Sequence, residues 1–192
     1  MTQKLSVPGL LQASPGRNPN IAMQGAGTLV SSALPLTEVL VVADCWQTEP
    51  DAEAVIHRAI NAAAEIADAD VGEAELAVML TDDAGIRTLN LNWRGIDKPT
   101  NVLSFPPAPG GAGDVKSLGD IAIAYETTAS EARAEDKPFA DHLAHLCVHG
   151  FLHLMGYDHE LEAHAETMES LERVILARLG VPDPYLAHAI RA

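Results

Sequence analysis

Disulfide chemistry is nearly absent from this chain, whose 192 residues hold two cysteines, Cys45 and Cys147. These are too few to frame a small secreted scaffold. Both lie in apolar surroundings and read as reduced, packed thiols. No apolar run approaches the ~20 residues of a membrane span, and the N-terminus lacks the basic-then-apolar layout of a secretory signal. A cytoplasmic protein without a membrane partner is the expectation. Positive charge is also scarce, with 12 basic against 27 acidic residues and a formal net charge of −15. That balance argues against tight, autonomous binding to nucleic acid, whose binders usually carry a basic patch. The acids crowd into stretches such as Glu160 to Glu172, expected to be solvated helix face, while Arg87, Arg94 and Lys98 form a local basic strip.

What the chain does have is histidine, and six of its eight fall between His142 and His164. His149, His153 and His159 stand at the spacing H-x-x-x-H-x-x-G-x-x-H. A helix turns ~100° per residue, so His149 and His153 share a face with side chains roughly 5–6 Å apart. Gly156 can end that helix in the left-handed conformation and turn the chain back, bringing His159 toward the same point. Three imidazoles on a tetrahedral ion leave a fourth position for water, as in a catalytic zinc site. A lone helical histidine would be an ordinary packed residue; this clustering is not. His145 lies one turn before His149 and reads as a support behind the ligands, since His159 closes a three-point site better. Asp158 either orients an imidazole through its other ring nitrogen or caps the turn.

A glutamate is missing where one class of hydrolase would need it. Peptidases with this histidine spacing carry glutamate after the first histidine as general base. Here that position is Gly150. A zincin-like metallopeptidase is therefore the alternative and not the first reading.

The run from His149 to His159 closely resembles the H-G-x-L-H-L-x-G-Y-D-H motif of the YbeY family. Three further segments resemble it in the same order: Trp93 to Pro106, Leu118 to Ile121, and Asp183-Pro184-Tyr185. The resemblance runs from about Leu36 to the C-terminus. It implies a single-strand-specific, metal-dependent endoribonuclease of ribosomal RNA processing (16S rRNA 3′ end maturation) and ribosome quality control. It also implies zinc held by His149, His153 and His159, a functional arginine at Arg94, and RNA and ribosome-associated proteins as partners, with no nucleotide cofactor. The chain departs from the family in its first thirty or so residues, and in Ile96, where the usual motif has lysine. A non-catalytic, zinc-containing ribosome assembly factor is a third reading. In the chemistry implied, the guanidinium of Arg94 supplies a permanent forked charge for phosphoryl oxygens. Without the resemblance, Arg94 would read as a surface salt bridge to Asp97. Asp120 is a base, a support for a ligand or, ranked first, a strand-end turn residue. Asn101 and Ser104 line a cleft or satisfy backbone groups.

Hydrophobic periodicity predicts an α+β fold: a small mixed sheet of about four strands packed against about five helices, with a zincin-like metal helix. Residues 1–35 are expected to be a disordered N-terminal extension and residues 36–192 a single metal-dependent hydrolase domain. Strands are predicted at Glu38 to Ala43, Glu73 to Leu80, Val102 to Phe105 and Gly119 to Ala124. Thr48 with Pro50 marks a helix start before an alanine-rich helix over Asp51 to Ala67. Thr81 is expected to cap a helix reaching Leu91. Helices follow at Thr127 to Glu135, from Pro138 to Met155, and from Ala163 to Leu179 with Met168, Leu171, Ile175 and Leu179 inward. Pro107 to Asp114 reads as a mobile surface loop.

Overall fold

In the computed structural model, residues 34–186 are described except 68, 70, 108–115 and 159–161. The N-terminal extension, the Pro107 to Asp114 loop beyond Pro107, and His159 thus lie outside the described residues. Four strands form one sheet in the order β1-β2-β4-β3, with β1 (Leu36–Val41), β2 (Glu75–Thr81), β3 (Val102–Phe105) and β4 (Ser117–Ala124). β1, β2 and β4 run parallel and β3 lies antiparallel on β4. Five α-helices join them: α1 (Ala52–Ile66), α2 (Asp83–Arg94), α3 (Tyr125–Ala134), α4 (Phe139–Leu154) and α5 (Glu162–Arg178). The mixed α+β sheet expected from the periodicity is what forms.

The alternation in β4 divides the core between the two faces of the sheet, because successive strand residues point oppositely. Ile121 and Ile123 join Leu76, Val78 and Leu80 under α1, α4 and α5. Ala122 and Ala124 face the other way, where Ile86 of α2 packs with Leu103. α4 is held very close to the sheet. A Cβ added at Gly150 would meet Ser104 Oγ at 3.1 Å and Ile121 at 3.2 Å. Ser104 Oγ donates to the Gly150 carbonyl at 3.0 Å, tying the helix to β3 at that point. Glycine is needed there for proximity, not for flexibility.

Two helix starts differ from expectation. Thr81 does not cap α2, because it is still paired in β2 opposite Ala124. The cap is Asp82, whose Oδ1 accepts from the Gly85 amide at 2.7 Å. Thr48 does not open α1 either. It ends a 3₁₀ turn over Asp44–Thr48 and donates to the Cys45 carbonyl at 2.8 Å, so α1 begins after Asp51. The longest correction concerns α5. Its acids were expected to be solvated, yet Glu172 is 0% exposed. Among the described residues no helix is long and apolar enough to cross a membrane.

Candidate metal centre

α4 presents His149 and His153 one turn apart, and their Nε2 atoms face each other at 3.1 Å with rings 84° apart. The Nδ1 atoms are both engaged. His149 Nδ1 donates to Glu172 Oε1 at 2.8 Å, and His153 Nδ1 donates to the Tyr157 carbonyl at 3.0 Å. The second bond depends on the turn after the helix. Gly156 adopts φ +88°, the Tyr157 amide returns to the Leu152 carbonyl at 3.0 Å, and the Tyr157 carbonyl swings back over His153.

These bonds determine what the pair can bind. A carboxylate and a carbonyl only accept, so each Nδ1 carries a proton, and Nε2 is the nitrogen each ring has left to offer a lone pair. Two lone pairs 3.1 Å apart repel unless a cation lies between them. Zinc–nitrogen bonds of ~2.05 Å at a tetrahedral angle would place two ligand nitrogens roughly 3.3 Å apart. The donor set therefore fits a small divalent metal. His159, the expected third ligand, lies outside the described residues. Among those described, no group of three histidine, cysteine or acidic side chains is arranged to hold a metal ion by itself. Cys147 of α4 is packed in the hydrophobic core, and burial pushes its thiol far above the usual range.

Glu172 is the functional residue that sequence reading missed. Its Oε2 accepts from His145 Nε2 at 3.3 Å and from the Tyr185 hydroxyl, while Oε1 takes His149. Burial pushes this carboxyl up, but the bonds from His145, His149 and Tyr185 outweigh that and hold it at about 2. It is ionised at neutral pH, and the imidazole it orients is held in one tautomer. His145 thus shares a carboxylate with His149. Arg173 in turn lies over the Tyr185 ring, 4.8 Å from its centre, and pairs with Asp183 at 3.4 Å. The C-terminal Asp183-Pro184-Tyr185 segment closes this brace. A signal for Glu172 was present in the sequence: it falls on the Met168, Ile175 stripe at i+4 and i−3, among inward positions.

The other expected residues separate. Asp158 pairs with His164 Nδ1 at 3.2 Å, and Glu172 takes the role Asp158 was expected to play behind His149. Asp120 is half-buried in β4 between β2 and β3, and burial raises its carboxyl. Arg94 is exposed in the last turn of α2. It does not pair with Asp97, which is gripped by Arg87 through two bonds of 2.6 and 2.9 Å. The loop after Arg94 ends at Asn101, which lines a cleft of about 260 Å³ together with Glu131, His142, His145, His149 and Tyr185. On its far side Glu131 Oε2 accepts from His142 Nε2 at 2.8 Å and from Asn101 Nδ2 at 2.9 Å. His149 therefore lines a cleft whose walls mix these polar groups with Val102, Leu146 and Pro184.

Fold and site define an α+β protein with a helix-borne histidine pair, its Nε2 atoms 3.1 Å apart, beside a cleft. Comparison with known proteins then places it. A family model described as Endoribonuclease YbeY matches residues 43–180, and the chain belongs to this family. Endoribonuclease YbeY of Bradyrhizobium sp. strain BTAi1 is 70% identical over 159 residues, covering 80% of this chain and 94% of the relative. That of Nitrobacter hamburgensis is 62% identical over 178 residues, covering 89% and 93%. The solution structure of TM1509 from Thermotoga maritima is similar at 25% identity and a TM-score of 0.50, covering 75% of this chain and 91% of that one.

Proposed function

We propose that this protein is a metal-dependent endoribonuclease that cuts single-stranded RNA, acting in the cytoplasm on ribosomal RNA during 16S rRNA 3′ end maturation and ribosome quality control. The observation that carries the reading is the convergence of His149 Nε2 and His153 Nε2 with both Nδ1 atoms already bonded, in a chain of the Endoribonuclease YbeY family. Residues 36–192 form the hydrolase domain, and residues 1–35 are an extension to it. His149, His153 and His159 hold the ion, assigned as zinc on the preference of imidazole sets. When bound, such an ion supplies Lewis acidity and lowers the pKa of a water to about 7.

The remaining work belongs to the chain. Glu172 keeps His149 presenting Nε2, and the Tyr157 carbonyl does the same for His153. Arg94 binds non-bridging phosphoryl oxygens in bidentate fashion. The acidic body disfavours holding long RNA by charge alone, so a ribosome-associated protein brings the substrate. The peptidase alternative loses ground on Gly150. That position faces Ser104 and Ile121 at contact distance, leaving no room for a glutamate base, and both oxygens of Glu172 are engaged.

Cleavage of a single-stranded ribosomal RNA fragment by the purified chain tests this. Activity should be lost with a chelator and with His153→Ala, and should fall on the order of 10²–10³-fold with Arg94→Ala. Cleavage at the same sites surviving all three would overturn the reading. A metal that only braced the fold would instead show as a large drop in melting temperature on chelation.

A further inference from the structure

We propose that Trp93 is a stacking platform for one base of single-stranded RNA, working as a pair with Arg94, which takes the adjoining phosphate. The inference rests on the endoribonuclease reading and adds a binding residue to it. Trp93 is 36% exposed on the last turn of α2. Its ring is not loose. Phe105 meets it at 5.8 Å between centroids and 64° between planes, a tilted contact that fixes orientation without covering the ring in parallel. Leu91 and Ile96, 46% and 48% exposed, are further exposed apolar side chains of this stretch.

Charge decides what covers this patch. In a chain of net charge −15, the exposed cations Arg94 and Lys98 follow Trp93 in the sequence, and neither makes a side-chain hydrogen bond or ion pair among the described residues. The neighbouring Arg87 is different, because Asp97 neutralises it. Asp97 is thereby turned toward Arg87 and its negative charge is compensated, leaving a local excess of positive charge beside an aromatic face. That combination suits a polyanion with flat apolar rings, and stacking on an aromatic side chain is worth roughly 1–3 kcal/mol per base. Location agrees as well. The loop after Arg94 runs to Asn101, which lines the same cleft as His149.

Tryptophan fluorescence of the full chain tests the proposal directly. The second tryptophan, Trp46, is 3% exposed and donates to the Thr81 carbonyl, so it acts as an internal reference. Titration with a 2′-O-methyl single-stranded oligonucleotide of about ten nucleotides, which resists cleavage, should quench the emission saturably. Trp93→Phe should abolish the quenching while keeping most of the affinity measured by anisotropy of a labelled oligonucleotide. Trp93→Ala should weaken that affinity about 5–150-fold, and Arg94→Ala should flatten its salt dependence. Unchanged affinity in Trp93→Ala together with unquenched emission in the parent chain would overturn it. So would a patch that a protein partner occupies while RNA still binds at full strength. The two readings fail separately: a chain that quenches and binds but never cuts RNA sinks the endoribonuclease reading and leaves the stacking role standing.

Discussion

The histidine face of α4 and the last turn of α2 are two halves of one proposed site, built on opposite principles. Around His149 the charge is held inside the protein: Glu172, carried by α5, serves two histidines and a tyrosine. Around Arg94 the side chains face solvent, and the nearest ion pair, Arg87 with Asp97, excludes Arg94. The difference follows from the ligand each expects. A small cation demands rigid lone pairs within a few tenths of an ångström, which only a buried, over-determined network supplies. A flexible polyanion needs charge and a flat surface, which exposed residues offer without prior order.

Breaking the buried half should cost most. Glu172→Ala leaves His145 and His149 without their acceptor, and metal affinity should fall about 10–100-fold in a competitive chelator titration. Glu172→Gln should fall less, since its carbonyl still accepts from one imidazole. Retention of parental affinity by the alanine variant would remove Glu172 from the metal centre. Gly150→Ala probes how that half is seated on the sheet. Overpacking against Ser104 and Ile121 costs roughly 1–3 kcal/mol, set against about 1 kcal/mol gained from alanine's helix propensity. A net loss on the order of 1 kcal/mol in urea denaturation is expected, and a gain in stability would mean that α4 can lift off β3 freely. At the exposed half the smallest effect is expected. Arg87→Ala removes a fully solvated pair and should leave the melting temperature unchanged; a clear drop would show that the α2 turn is also a braced structure.

The same contrast explains what could be read in advance. The metal helix, its end at Gly156, the strand of Val102 to Phe105 and the apolar stripe of α5 all follow from local spacing, because the helical and strand repeats are properties of the backbone. His149 and His153 were legible for that reason: one turn of helix brings them together whatever surrounds it. Glu172 was not, since nothing local distinguishes a buried acid from the solvated ones beside it; only the stripe it shares with Met168 and Ile175 hints at burial. Thr81 was misassigned as a cap because the pairing of β2 with β4 extends the strand one residue, a cross-chain effect absent from the dipeptide Thr81-Asp82.

By itself the sequence determined the elements, the histidine face and the family pattern, since each is carried by residues within one or two turns of each other. Tertiary structure alone decided that α5 supplies the carboxylate behind His149, that the C-terminal Tyr185 locks it, and that Asp97 turns to Arg87 and leaves Arg94 to solvent. Those choices depend on burial and on charges brought together across the fold, and the free energy of a buried charge is set by all its neighbours at once.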